Sequence, residues 1–395
     1  MNLGEKLLRE GNGILRLAPA WVPRSFCRPA KRIKLHPDDY YKLGLARGGI
    51  DERWLASTVP ADNGPGTPPD EGLSSAVSRD GMERVTLSEL VETLRGELIG
   101  DALWEKYRRW PAFAKFFDNL GPLPHHIHHD EAHAALVGLH AKPEMYFFPA
   151  QLNAFGGEFP FTFFGLRPET TWEELREALA SFPKGDNRIL ELSVAYKLAP
   201  DTGWNVPPGV LHAPGSLCTY EPQFASDVYA MYQSMLYFEH AVPENLLWNN
   251  CPESRLGDVD YLMEVVDWEK NTDPYFSKNS FMRPVTASES EAYRDEWICY
   301  RCELASAKRL TVAPGQSVRL RDAAAHGIIA VEGHGTINGQ PLESPTLIRF
   351  GALTNDEYFI PAAAASDGVV YENHSASEPL VVLRHFAENP ELPAR

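Results

Sequence analysis

The sequence is short of positive charge. Its 37 lysines and arginines face 54 aspartates and glutamates over 395 residues, a formal net charge of −17 at pH 7. That balance excludes nucleic acid as a partner bound through its phosphates, because such binding needs Lys and Arg in excess. No run of about 18 apolar residues is present, which excludes a membrane-spanning helix. The start MNLGEKLLREGNG lacks the basic end and apolar core of a secretion signal, so the cytoplasm is the expected compartment. Cysteine is scarce: Cys27, Cys218, Cys251, Cys299 and Cys302 are odd in number and scattered, which excludes a disulfide framework. Cys299 and Cys302 form one C-x-x-C without a second pair and read as packing or surface thiols.

Proline and glycine are plentiful, at 32 and 29 residues, and with 11% aromatics they suit a turn-rich β architecture long enough for two domains. Against that background one stretch stands out. From Gly121 to Phe148 the chain holds His125, His126, His128, His129, His133 and His140, six of its 13 histidines. Residues two apart on a strand share a face, so His126 and His128 point the same way, and Glu144 opens a second strand-like run that can face them. His212 follows the turn Val206-Pro207-Pro208-Gly209 and opens a short strand of its own. Three imidazoles and a carboxylate suit Zn, Mn, Fe, Ni or Co and leave room for water or substrate, without choosing among those metals. A one-residue slip of register would put His125 and His129 in place of His126 and His128. His133 and His140 lie in a polar, helical-looking stretch and read as surface residues.

These segments resemble the type I phosphomannose isomerases of the cupin superfamily. That family carries Leu-Ser-x-Gln-x-His, then Lys-x-Glu, then Gly-x-x-His-Ala. Here the matching residues are Leu123-Pro124-His125-His126-Ile127-His128, Lys142-Pro143-Glu144 and Gly209-Val210-Leu211-His212-Ala213. Further likeness lies in Glu52-Arg53-Trp54, in Thr86-Leu87-Ser88-Glu89-Leu90 through Gly100, in Phe113 to Asp118, and in Tyr220-Glu221-Pro222-Gln223 with Ser226-Asp227. The resemblance spans roughly residues 50 to 240 and, more weakly, the C-terminal third. Two positions depart from it: His126 stands where the family usually has Gln, and Ala230 stands where it has an Arg after Ser-Asp.

The expected fold is mainly β, with two cupin (jelly-roll β-barrel) domains and accessory helices. Residues 1–95 are expected to form an N-terminal arm, a loop and the start of an accessory helix. Residues 96–245 form the metal-binding cupin, 246–295 a connecting segment, and 296–395 a second cupin without metal. Arg16, Arg24, Arg28, Lys31, Arg32 and Lys34 make the arm basic, and it reads as a solvated segment lying over the body. Thr86-Leu87-Ser88-Glu89 has the form of a capping box, and Thr171-Trp172-Glu173-Glu174 starts a second helix. Strands are expected after Glu144 through Phe159–Gly165, over Ile189–Ala195, over Gly203–Ala213 and over Ser226–Phe238. In the second cupin, His326, His334, His374 and His385 are too far apart for a His-x-His site.

The resemblance implies a metal-dependent aldose–ketose isomerase acting on a sugar or sugar phosphate, with altered substrate. One divalent ion, Zn first among the candidates, is expected on His126, His128, Glu144 and His212. Lys142, two residues before Glu144, shares its strand face and is a candidate for proton transfer or for holding an anionic group. Glu221 and Asp227 follow His212 and can supply a base or a partner to a ligand. Two other readings stay open: a cupin Fe(II) dioxygenase, and a non-catalytic carbohydrate-binding or regulatory cupin. The expected partner is a small carbohydrate, with no nucleic acid, no membrane and a homodimer as an open option.

Overall fold

The structure, a computed structural model, describes residues 2–64, 66–153, 159–236 and 240–393. It is mainly β, built from antiparallel sheets. A seven-stranded sheet runs in the order Phe281–Met282, Gly203–Val206, Glu144–Phe147, Thr219–Phe224, Ala112–Phe117, Gly49–Leu55, Ala20–Arg24. Facing it is a five-stranded sheet ordered Ser193–Lys197, Phe161–Leu166, His212–Ala213, His126–Ile127, Ala230–Met231. Together they make the first barrel. The second barrel pairs a nine-stranded sheet, centred on Ser306–Val312, Leu380–Phe386 and His326–Glu332, with a four-stranded sheet centred on Val369–Asn373 and His334–Ile337.

Alternation along the strands decides what each sheet face does. On Ala112–Phe117, Ala114 and Phe116 point out of the first barrel, as do Met145 and Phe147 on Glu144–Phe147 and Tyr220 on Thr219–Phe224. They pack against Ala307, Ile329, Val381 and Leu383 of the nine-stranded sheet. Burying each of these larger side chains contributes roughly 1.5–3 kcal/mol, so the two barrels share one apolar layer. The alternate residues, Lys115, Phe117, Glu144, Tyr146 and Glu221, face the first barrel's interior.

Both expected capping boxes form. Thr86 caps the helix Leu87–Leu94 with Glu89 reaching back, and Thr171 caps Trp172–Ala180 with Glu174 doing the same. The segment expected as a basic arm is instead woven into both barrels. Ala20–Arg24 and Gly49–Leu55 extend the seven-stranded sheet, while Leu15–Ala18 and Ser75–Val77 extend the nine-stranded one. Three of its basic side chains are bound rather than solvated: Arg32 reaches Asp118 at 2.6 Å, Lys34 donates to Ser344 Oγ at 2.6 Å, and Arg24 is buried, while Arg28 and Lys31 are exposed. The expected strand at Ile189–Ala195 begins as a 3-10 turn over Ile189–Leu192, because Arg188 enters it at φ 56° and Ile189 packs into the helical side of the core. Strand follows over Ser193–Lys197. Within 203–213, Pro207, Pro208 and Gly209, at φ 79°, break the strand in two. Parts of two other expected strands, residues 154–158 and 237–238, lie outside the described residues. No helix among the described residues is long and apolar enough to cross a membrane.

Candidate metal centre and buried charge row

Three short elements deliver the three histidines. The strand His126–Ile127 pairs with His212–Ala213, placing His126 directly opposite His212, and His128 follows two residues on from His126. The turn before His212 is fastened to the same segment, since Gly209 N donates to His128 O at 2.8 Å. A side chain at Gly209 would strike Asp267, so this close approach requires glycine. The imidazole centroids lie 4.2 Å (His126–His212), 4.9 Å (His128–His212) and 5.1 Å (His126–His128) apart. Their ligating nitrogens come within 4.8 Å of one another.

Each ring is oriented by the backbone. Nδ1 of His126 meets Pro124 O at 2.8 Å, Nδ1 of His128 meets Val228 O at 2.7 Å, and Nδ1 of His212 meets Val210 O at 2.8 Å. A carbonyl only accepts, so each Nδ1 carries the proton and each Nε2 presents a lone pair. Glu144 closes the group: Oε2 lies 3.1 Å from His128 Nε2, and Oε1 lies 3.2 Å from His212 Nε2. His212 Nε2 has no hydrogen-bond partner and faces that carboxylate acceptor to acceptor. Such an arrangement favours a cation between the lone pairs, and the donors fit one divalent ion of the first transition row.

Electrostatics keeps these groups in ligand form. Burial pushes the His126 imidazole well below its ordinary value, and burial, helped by Lys142, takes His128 down to about 3. Both rings therefore stay neutral, the state that binds metal. Burial alone would raise the Glu144 carboxyl, but Lys142 and the histidines outweigh it and hold it well below the carboxylate range. Tyr146 donates to Glu144 Oε1 at 2.5 Å.

From Glu144 a row of charges crosses the seven-stranded sheet, one residue per strand over five strands. Lys142 Nζ bridges Glu144 Oε2 at 2.9 Å and Glu221 Oε1 at 3.5 Å, and lies 3.2 Å from His128 Nε2. Lys115 Nζ stands 3.3 Å from Glu221 and 3.6 Å from Glu52. Arg24 then joins Glu52 at 3.1 Å to Asp227 at 3.3 Å. Glu221 lies opposite Lys115, which lies opposite Trp54, whose Nε1 donates to Glu52 at 2.7 Å. The residues from Glu144 to Arg24 are at most 6% exposed. Burial and the Glu144 charge push the Glu221 carboxyl up to about 8 despite both lysines. Burial also acts on Glu52, but Arg24 and Lys115 bring it down to about 2.

The structure thus brings His126, His128, His212, Glu144, Lys142 and Glu221 together. Asp227 does not reach the histidines: it sits at the far end of the row, holding Arg24 and accepting from Asp62 N at 3.0 Å. His125 points away, to Ser193 Oγ at 2.6 Å, and burial holds it near 3. His129 faces the opposite way from His128 as well, and His133 and His140 pair with Asp130 and Glu131. Lys115, Glu52, Arg24 and Tyr146 were not anticipated as site residues. Their signal was a lone charge at an inward position of an otherwise apolar strand, as Lys115 is in AFAKFF.

No protein-family model matches the chain, and no curated sequence matches it. Solved structures do. A mannose 6-phosphate isomerase from Bacillus subtilis superposes with a TM-score of 0.59 at 14% identity, over 94% of this chain and 99% of that one. A lysine-to-alanine variant of the phosphomannose isomerase from Salmonella typhimurium gives 0.63 at 13% identity, over 95% and 99%. The chain has the fold of the mannose-phosphate isomerases. A candidate mannosephosphate isomerase from Archaeoglobus fulgidus matches likewise, at 0.61 and 15% identity, over 95% and 97%. Near-complete coverage in both directions means that both barrels, and not the histidine-bearing half alone, follow that architecture. At such identities the likeness is one of fold.

Proposed function

We propose that the chain is a metal-dependent aldose–ketose isomerase acting on a sugar or sugar phosphate. The observation that carries the reading is the convergence of three backbone-oriented imidazoles on Glu144, with the Lys142–Glu221 pair beside them. His126, His128, Glu144 and His212 would hold one divalent ion. When bound, that ion would supply a positive charge to polarise a sugar carbonyl and its neighbouring hydroxyl.

Isomerisation moves one proton between adjacent carbons, so a group that accepts and returns a proton near neutral pH is needed. Glu221, raised to about 8, is suited to that exchange. Lys142 lies between Glu221 and Glu144, where it can pass a proton or hold developing negative charge. Asp227 acts through Arg24, as a positioning residue at the end of the row. Burial of the whole group excludes bulk water and strengthens each of these interactions.

Metal analysis by mass spectrometry, with an assay for aldose–ketose interconversion, tests the reading. The expected result is about one equivalent of Zn, Mn, Ni or Co per chain, together with turnover. A protein that stays metal-free after incubation with each ion, or one that takes iron and consumes oxygen with an aromatic or dicarbonyl substrate, overturns it.

A further inference from the structure

Three of the four donors grouped here are oriented by the main chain, since His126, His128 and His212 each meet a carbonyl oxygen through Nδ1. Glu144 is not. Rotamer preference leaves the plane of a glutamate carboxylate nearly free, because its terminal torsion is broad. Among the described residues, the hydrogen bond that this plane receives comes from the Tyr146 hydroxyl, at 2.5 Å to Oε1. Such a length suits a hydroxyl donating to an ionised oxygen. Lys142 lies on the other side, 2.9 Å from Oε2, but as an ion pair, and Oε2 receives no aligned hydrogen bond.

The two residues that flank Glu144 differ in stiffness. Lys142 precedes the strand and carries its charge on a flexible four-carbon stem, within reach of Glu144, of Glu221 at 3.5 Å and of His128 Nε2 at 3.2 Å. Tyr146 turns about two side-chain torsions only. It lies within Glu144–Phe147, a strand paired on one side by Gly203–Val206 and on the other by Thr219–Phe224. Its side chain is buried, with the ring packed against Phe117 and Phe164 at centroid distances of 5.5 and 6.0 Å, and the His212 imidazole 6.3 Å away. The hydroxyl therefore reaches Glu144 from a fixed point, at the oxygen that lies 3.2 Å from His212 Nε2.

Granting the metal centre of the reading above, we infer that Tyr146 is a positioning residue of that centre, whose hydroxyl fixes the Glu144 carboxylate plane and so sets how tightly the four donors hold their ion. The phenol does for the carboxylate what the backbone carbonyls do for the imidazoles. It acts through Glu144, and Lys142 beside it is left to its charges.

A double-mutant cycle on the full-length chain tests this, read as Zn²⁺ affinity by competition with a chromophoric chelator. Tyr146→Phe keeps the ring in its packing and removes the donor. It is expected to weaken Zn²⁺ binding roughly 10- to 100-fold and to change the visible absorption of the Co²⁺-loaded protein, which reports the geometry around the ion. In a Glu144→Ala background the same substitution should change the affinity by less than about twofold, because the group it acts through is gone. An unchanged affinity in Tyr146→Phe, with or without a loss of stability in urea, overturns the inference. An equal loss with Glu144 present and absent overturns it too. A second check needs no substitution: in a crystal structure of the Zn²⁺-loaded wild type, Tyr146 should stay within hydrogen-bond distance of Glu144, and a hydroxyl bound to the zinc or turned away from Glu144 overturns the role. Normal affinity in Tyr146→Phe beside wild-type turnover of a sugar removes the positioning role and leaves the isomerase standing. Weakened affinity beside a wild type that turns over no sugar supports the positioning role and removes the isomerase.

Discussion

In the first barrel the interior charges form a row that ends on three imidazoles, whereas in the second Lys308 and Arg384 close on Asp295 and Asp322 in a compact cluster without imidazoles converging on it. Lys308 Nζ lies 3.1 Å from Asp322 and 3.8 Å from Asp295, and Arg384 donates to both carboxylates. Two cations meet these two anions and a third carboxylate, Glu391, 3.3 Å from Lys308 Nζ, and the barrel's remaining interior is filled by Leu310, Val312, Ile328, Tyr371 and Val382. His326 carries the same local device as the histidines of the first barrel, with Nδ1 at 3.0 Å from Ala324 O and a free Nε2. Its ring packs on Phe386 with no second imidazole beside it, because His385 lies on the other face of its strand and meets Tyr220. Orienting one imidazole is thus a local matter of chain geometry. A metal centre needs three to converge, which only the pairing of strands can arrange.

The largest effects should separate the two barrels by metal. His128→Ala is expected to lower metal content from about one equivalent to near zero and to reduce turnover on the order of a thousandfold or more, about 4 kcal/mol of transition-state stabilisation. His326→Ala should leave metal content unchanged; a fall there would erase the contrast. Lys142→Met is expected to retain the metal and lower kcat by roughly 10²- to 10⁴-fold, read in steady-state kinetics beside the metal-to-protein ratio. A variant with normal kcat would reduce Lys142 to a structural counter-ion, like Lys308.

In the second barrel the same kind of change should appear as stability. Lys308→Met strands Asp322 and Asp295 on one remaining cation, and removing one partner of a buried pair costs about 3–5 kcal/mol. Urea titration should show it, with metal content untouched. Acid should act on the same cluster. Burial opposes ionisation of Asp322, yet Arg384, His326 and Lys308 hold its carboxyl at about 2, below its ordinary value of 3.8. On acidification the unfolded chain takes up that proton first, so stability present above pH 3.8 is lost as pH falls toward 2, about 2 kcal/mol in all. Asp322→Asn should flatten that acid limb; an unchanged slope between pH 4 and pH 2 would show that other carboxylates carry it.

What was legible in the sequence was what is local. Thr86 and Thr171 announce their helices within four residues. His126, His128, Glu144 and His212 are readable as a set because a strand period of two and a Pro-Pro-Gly turn fix which way each side chain points. The expectation of a mainly β fold with accessory helices rests on the same short-range signals. The charge row was hidden because its members are neighbours only through sheet order: Arg24, Glu52, Lys115, Glu221 and Glu144 come from five strands, and nothing near Lys115 says that Glu221 will lie opposite it. The N-terminal strands were missed for that reason too, since Leu15–Ala18 reads as an edge fragment until Glu357–Ile360 is there to pair with it. Asp227 follows the Ser-Asp step of the resemblance, but only the position of Arg24 shows that it ends the row and does not touch the histidines.

The smallest test addresses a polar tie between neutral groups of the two barrels, Tyr220 OH to His385 Nδ1 at 3.0 Å. Burial holds His385 neutral, near 3, and keeps the Tyr220 hydroxyl protonated well above its ordinary value, so the bond is one between neutral groups. Tyr220→Phe keeps the ring against Phe116 and removes only the hydroxyl, leaving the buried imidazole nitrogen without a partner. A loss of about 1 kcal/mol in urea titration is expected, with metal content unchanged and kcat within twofold. Tyr220 neighbours Glu221 on the same strand but faces the opposite side of the sheet. If its loss instead lowered kcat tenfold with metal in place, the second barrel would be setting the position of Glu221 through the shared apolar layer, and the division into a reacting barrel and a merely supporting one would fail.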